Sequence, residues 1–333
     1  MKPSALIVTV FVFLCFGVVG AAPQAAAGGP GEPTFQYTVK KGETVSLICI
    51  DYYGHYSPAM GKTIVKENPS VKDINIIFPG QVLTLHNPDF KPQKAAEAAT
   101  LFEKKVDATQ GVVTYVEGDA SLTPKGGKAR QKCTANMIVY PGDVIQTAAN
   151  GRVELIINRE TVVRVRENTR LTVDAFRDAE KNQGKTRMGF SLGSVWAKMK
   201  KFRDKMSRFE LELPTAIAGV HGTVYQASID RDSSAEVKVY TGEVAVKNNP
   251  ALSQGHPGAG VGEVSGPGEV SGPSEVSMDQ WVSIVSEMQK IRIDKKGKPK
   301  AVESFKKNEA DSWEQWNSER DKRINELFEE TDE

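Results

Sequence analysis

The sequence predicts a multidomain protein: a small α+β unit of βααβ order, then a mainly-β domain built as a sandwich or a solenoid-like stack, then a C-terminal helix. Three observations predict it. Between Phe35 and Leu85, two short alternating stretches bracket two segments whose apolar residues recur at helical spacing. From Ala108 to about Lys247 the period changes to two, with turn residues at short intervals. From about Glu309 to Glu330 a helical stripe returns. With 333 residues the chain can hold two domains of ordinary size beside its non-globular segments.

The N-terminus reads as a secretory signal peptide over residues 1–22. Lys2 supplies the positive start, Leu6 to Val19 is almost continuously apolar, and Gly20, Ala21 and Ala22 offer small residues for cleavage near Ala21 or Ala22. Such a signal places the protein in the periplasm or cell envelope. Membrane contact is expected only if the segment is kept as an anchor. Residues 23–34, rich in Ala, Gly and Pro, form a flexible leader.

Residues 35–87 form the α+β unit. Tyr37 and Val39 alternate with polar neighbours, Lys41 and Gly42 make a turn, and Thr44 caps a helix that gathers Val45, Ile48, Cys49 and Tyr52 on one face. Cys49 is then a small core residue. A second helix runs from about Ala59 to Asn68 with Met60 and Ile64 inward, stopped by Pro69. Pro79 and Gly80 turn the chain into a strand from Gln81 to Leu85.

The run Tyr37-Thr-Val-Lys-Lys-Gly-Glu-Thr-Val45, followed by Tyr52-Tyr-Gly54, Glu67-Asn-Pro69 and Ile76-Ile-Phe-Pro-Gly-Gln-Val-Leu83, resembles a LysM module. The resemblance implies a βααβ fold that binds peptidoglycan or another N-acetylglucosamine-containing glycan. The family's shallow groove falls on the turn Gly42, Glu43, Thr44 and Val45 and on the facing loop Asp73, Ile74, Asn75, Ile76 and Ile77. A neutral acetylated sugar needs main-chain amides and carbonyls for its polar edge and small apolar patches for its methyls. Gly42, Pro79, Gly80 and Ile76 can equally be read as turn formers and core. Val45 and Cys49 depart from the family's usual leucine and alanine while keeping apolar character.

A linker over 88–107 with Pro88, Pro92 and an Ala/Glu/Lys stretch is expected to separate two cores. In the β-domain, residues 108–247, Val153, Leu155 and Ile157 share one face. Val163 and Val165 alternate with Arg164 and Arg166, and Phe209, Leu211 and Leu213 alternate with Glu210 and Glu212. The motifs Pro141-Gly-Asp-Val-Ile-Gln-Thr147, Leu192-Gly-Ser-Val-Trp-Ala-Lys198 and Pro214-Thr-Ala-Ile-Ala-Gly-Val-His-Gly-Thr223 are similar to the FecR periplasmic domain. His221 stands where that family usually has arginine, so a role needing permanent charge does not carry over.

A low-complexity spacer, residues 248–277, repeats Gly-Glu-Val-Ser-Gly-Pro at Gly262 and Gly268. Residues 278–333 then hold one or two strands between Trp281 and Ile293 and the final helix. Trp313, Trp316, Arg320, Ile324 and Leu327 lie close to one stripe of that helix, suited to packing on the β-domain. The basic run Lys198, Lys200, Lys201, Arg203, Lys205 and Arg208 reads as a loop joining two strands, or as a hold for an anionic partner.

Forty-three Lys and Arg nearly balance 42 Asp and Glu, so no global field recruits nucleic acid. Four scattered histidines and two mature cysteines, Cys49 and Cys133, give no metal-ligand spacing, and no cofactor is expected. No His-Glu-x-x-His, Gly-x-Ser-x-Gly or Cys/His pattern occurs, so an enzyme is not expected. The reading is a non-catalytic peptidoglycan binder that anchors or scaffolds the β-domain and can meet an envelope protein through it. A FecR-type sensor acting through a partner and a wall-hydrolase accessory stay open as alternatives. Almost nothing precedes the apolar run, which weighs against direct sigma-factor control from a cytoplasmic segment.

Overall fold

The computed structural model describes residues 33–89, 101–102, 110–127, 129–176, 185–200, 209–220, 222–250, 281–308 and 310–329. The signal segment, nearly all of the leader and spacer, His221 and the basic run beyond Lys200 lie outside the described residues.

The N-terminal unit has the expected order: β1 (Thr34–Thr38), α1 (Val45–Tyr53), α2 (Pro58–Glu67) and β2 (Val82–His86). The two strands pair antiparallel from Thr34 with His86 to Thr38 with Val82. Thr44 is the N-cap of α1, its side chain accepting from the Leu47 amide, and Gly54 closes the helix in the left-handed region at φ 80°. Ser57 caps α2 and Pro58 occupies its first turn, where a missing N–H costs nothing. The helix stops at Glu67 because Asn68, which precedes Pro69, leaves helical geometry at φ −120° and ψ 80°, and its carboxamide bonds the groups at the helix end. Its Nδ2 donates to the Ile64 and Thr84 carbonyls, at 2.8 and 2.9 Å, and its Oδ1 accepts from the Thr84 amide at 2.7 Å. One side chain thus ties the end of α2 to β2.

The one-sided face expected for α1 needs correction. Ser46, Leu47 and Ile50 are buried along with Val45, Ile48 and Cys49, whereas Tyr52 is only partly covered. The helix lies between its own unit's core and the β-domain, and a helix covered on both sides carries no single stripe. The Cys49 thiol sits in this core, where burial pushes its pKa up and keeps it protonated.

Among the described residues, the β-domain is a sandwich of two nine-stranded sheets. The first holds β3 (Gly111–Glu117), β6 (Ile138–Val139), β8 (Arg152–Ile157), β9 (Thr161–Val165), β12 (Gly193–Met199), β15 (Val224–Ile229), β16 (Ala235–Thr241), β19 (Gln289–Ile293) and β20 (Glu303–Ser304). The second holds β4 (Ala120–Thr123), β5 (Gln131–Lys132), β7 (Val144–Thr147), β10 (Arg170–Ala175), β11 (Thr186–Phe190), β13 (Phe209–Glu212), β14 (Ala216–Val220), β17 (Glu243–Asn248) and β18 (Val282–Ser286). From β7 onward successive strands and hairpins alternate between the sheets and advance in one direction along both. The architecture is therefore a sandwich in its layers and solenoid-like in its winding. Val153, Leu155, Val163, Val165, Leu211 and Leu213 enter one core shared by the two sheets, as the period of two requires. The strands expected between Trp281 and Ile293 are β18 and β19, one in each sheet.

The final helix, α3 (Ser312–Glu329), buries Trp313, Asn317, Arg320, Ile324, Leu327 and Phe328. It packs on the β-domain, as its stripe predicts, and also on the N-terminal unit. Ile324, Leu327 and Phe328 join one apolar cluster with Leu47 and Ile48 of α1 and with Val112, Ile156 and Val162 of the first sheet. Phe102, from the stretch expected to be a solvated linker, is buried in the same cluster and stacks on His86 with ring centroids 4.3 Å apart. The small unit and the sandwich thus meet in a continuous core.

Candidate functional site

The two loops singled out from the sequence lie beside α1 and α2. In the first, Gly42 takes φ +79°, and a Cβ there would stand 2.9 Å from Nη1 of Arg320. Its carbonyl accepts from that nitrogen at 2.7 Å, and the left-handed backbone calls for glycine. Glu43 is 6% exposed. Its carboxylate accepts from the Tyr37 hydroxyl at 2.7 Å, the Lys40 amide at 2.8 Å and Nε of Arg323 at 2.9 Å. Thr44 caps α1 and donates its hydroxyl to the Thr114 carbonyl of β3 at 2.7 Å. Val45 is core. The side chains of Glu43, Thr44 and Val45 are thus engaged inside the protein.

The second loop begins with Asp73, whose Oδ1 accepts from the main-chain and side-chain nitrogens of Asn75 at 2.9 and 3.2 Å. Ile74 and Ile77 pack partly against the unit's core. Ile74 reaches α2 at Gly61, where a Cβ would fall 2.3 Å from its Cδ1. Ile76 and Phe78 stand out from the surface, 53% and 63% exposed. The motif offers Ile76 as a groove or core residue. It is an exposed apolar side chain at the loop tip.

The residue that joins the two loops was not visible in the sequence. Asn136 sits in the turn before β6, is 8% exposed, and holds the left-handed conformation at φ 67°. Its Oδ1 accepts from the Ser46 amide at 2.7 Å, and its Nδ2 donates to the Ile74 carbonyl and to Oδ1 of Asn75, both at 3.1 Å. Ser46 lies in the first turn of α1, whose amides have no partner within the helix. A main-chain amide from the first turn of α1 and a main-chain carbonyl of the second loop thus converge on one carboxamide. Beside it opens a cavity of about 600 Å³ lined by Tyr56, Lys62, Val65, Lys72 and Met137, among others. An Asn in a strand-linking turn is ordinary turn chemistry, so nothing local marks Asn136 as crossing between domains.

Helix α3 holds the first loop in place through buried charge. Arg323 donates to Glu43 and pairs with Asp51 of α1, and Arg159 of the sandwich donates to the Asp51 carbonyl at 3.1 Å. Burial opposes the Arg323 charge, but Asp51 and Glu43 outweigh it and raise its pKa further above the ordinary range. One turn back, Arg320 donates to both oxygens of Glu154 in β8, at 2.5 and 3.1 Å, while Arg164 of β9 donates to the same carboxylate at 2.9 Å. Burial alone would push the Glu154 carboxyl up. The guanidiniums of Arg320 and Arg164 overcome it and hold the pKa at about 2.

The described start of the basic run also serves α3. Lys198 donates to Oδ1 of Asn325 at 2.5 Å and pairs with Asp321 at 3.5 Å, and Lys200 donates to the Phe328 carbonyl at 2.9 Å. Cations at the last carbonyls of a helix suit its dipole. These two lysines are docking groups. The remainder of the run, read as a loop joining two strands or as a hold for an anionic partner, lies outside the described residues.

The family model for a LysM domain matches residues 37–85, and that for FecR protein matches residues 143–245. No curated protein matches the chain. Two crystal structures of a candidate anti-sigma factor from Parabacteroides distasonis are similar to it at 14% and 15% identity, with TM-scores of 0.35 and 0.33. The similar regions cover 52% and 48% of this chain and 64% and 59% of theirs, so it spans less than two thirds of those proteins. Residues 37–85 thus match a LysM domain and residues 143–245 a FecR domain, and the C-terminal helix bonds to both stretches.

Proposed function

We propose that the protein is a non-catalytic, peptidoglycan-binding component of the cell envelope, exported by its N-terminal signal, in which the LysM domain anchors the FecR domain to the wall. The observation that carries the reading is the convergence of the Ser46 amide and the Ile74 carbonyl on a single carboxamide. An acetamido group offers the same acceptor and the same donor. Recognition then rests on main-chain atoms of the two loops, with Ile76 as an exposed apolar contact for a sugar face. The side chains of Glu43 and Val45 shape the loop from inside. A single shallow groove of this kind binds in the ~μM to mM range, and many sites on an insoluble wall raise retention by avidity.

Sedimentation of the full chain with purified sacculi tests this. The protein is expected in the pellet, released by soluble N-acetylglucosamine oligomers, with no muropeptides set free. Ile76→Asp, which places a charge at an exposed position without touching the core, is expected to cut retention by roughly tenfold, about 1.4 kcal/mol. Protein that stays in the supernatant at every sacculus concentration would rule the reading out. A second reading, a FecR-type sensor that works through an envelope protein, is supported by the match over residues 143–245. It is compatible with wall anchoring.

A further inference from the structure

We infer that Asn136 of the β-domain is a built-in competitor for the sugar: its carboxamide occupies the acetamido position of the LysM groove, so glycan binding and docking of the β-domain turn exclude each other there. This rests on the proposed glycan reading and adds a regulation to that same site.

Chemical likeness is the first support. The asparagine side chain ends in a carbonyl acceptor and an N–H donor attached to one planar carbon, as an N-acetyl group does. Its oxygen takes the Ser46 amide and its nitrogen serves the Ile74 carbonyl. These are the two main-chain groups that the groove would offer an acetylated sugar. A sugar reaching them must draw the carboxamide away.

Geometry is the second support. The turn that carries Asn136 is fixed to β3 on both sides, because the Asn136 amide donates to the Val113 carbonyl at 2.8 Å and the Val113 amide donates to the Met137 carbonyl at 2.9 Å. The carboxamide is therefore presented ready-made, at high effective concentration and with little further ordering to lose. Further bonds between the domains lie alongside, from Ser46 Oγ to the Val113 carbonyl at 3.3 Å and from Gln110 Nε2 to the Tyr56 carbonyl at 3.2 Å. The adjoining cavity of about 600 Å³ gives a sugar ring a place to approach while the carboxamide leaves.

The consequence is linkage. If only the fraction of molecules with Asn136 withdrawn can bind, the apparent affinity falls by that fraction. Bound glycan, in turn, removes three hydrogen bonds that hold the sandwich to the LysM domain. Wall occupancy and the seating of the β-domain are then coupled reciprocally.

The test compares the full chain with Asn136→Gly, which adopts the left-handed backbone freely and removes the carboxamide together with its methylene. N-acetylglucosamine hexamer is titrated into each by calorimetry. The variant is expected to bind about tenfold more tightly. Equal or weaker binding by the variant overturns the competitor while leaving the groove as a sugar site. Absence of binding by either chain overturns the groove and the competitor together. As a second measurement that needs no variant, the Asn136 side-chain amide protons of the unaltered protein are followed at saturating hexamer. They are expected to move to solvent-exposed positions, and unchanged signals from a saturated protein also count against the proposal.

Discussion

Replacing Glu154 by glutamine is expected to destabilise the protein by about 3–5 kcal/mol, because it leaves two guanidiniums in the interior without their shared counter-charge. Glu154 and Arg164 are wholly buried and Arg320 nearly so. Each Glu154 oxygen accepts from an arginine, and Oε1 also accepts from the Thr114 hydroxyl at 2.9 Å. Glutamine keeps the shape but offers N–H groups where acceptors are required. Arg164 retains Asp321, at 2.7 Å, and the Asn317 carbonyl, whereas Arg320 is left with the Gly42 carbonyl and the Tyr115 ring, whose centroid lies 4.4 Å from its guanidinium. Urea unfolding at pH 7, followed by tryptophan fluorescence, measures the loss.

The same carboxylate gives the pH dependence. Its pKa lies at about 2 in the folded protein against an ordinary 4.5. A depressed carboxyl contributes stability above the unfolded pKa and loses it as pH falls toward the folded value. The unaltered protein should therefore weaken between about pH 4.5 and 2 through this group. Glu154→Gln should lack that component. A variant as stable as the parent at pH 7 would show that the ion cluster contributes nothing to holding α3.

Trp313→Ala is expected to cost about 3–5 kcal/mol, the range for removing a fully buried large aromatic. Trp313 is 0% exposed and lies parallel to Trp316 with ring centroids 5.2 Å apart. It packs with Trp196 and Tyr240 on the first sheet, and the guanidinium of Arg152 lies 5.8 Å from its ring centroid. The residue begins the stripe that continues through Asn317 and Arg320 to Ile324, so its loss loosens the end of α3 from which the arginines are aligned. Thermal unfolding should show a clearly lowered midpoint, and limited proteolysis should cut within α3 before the sandwich. Trp313→Phe, which keeps most of the buried area, should lose much less.

Much of the fold was legible because local rules and tertiary demands agree. Thr44 caps α1, Met60 and Ile64 face inward from α2, and the alternation of Val153, Leu155 and Ile157 fixes which face of β8 enters the sandwich core. A period of two states the face and not the neighbour. The passage of successive hairpins from one sheet to the other was therefore invisible, as was the parallel pairing of β11 with β13. The site was legible in its loops and not in its setting. Glu43 looks like a surface residue of a polar turn until Arg323, 280 positions away, is folded against it. Asn136 lies 90 positions from Ser46, and no pattern along the chain records that distance. Helix α3 showed an apolar stripe, but the partners of Arg320 and Arg323 on other elements could not be read from it.

The most direct measurement is a two-dimensional amide spectrum of the full, isotope-labelled chain during titration with an N-acetylglucosamine oligomer. Signals of Gly42 to Ser46 and of Asp73 to Ile77 should move together along one saturating curve, because both loops would face one acetylated sugar. If those signals stay in place while the oligomer is in large excess, or if the shifts cluster elsewhere on the protein, the LysM loops are not the binding groove.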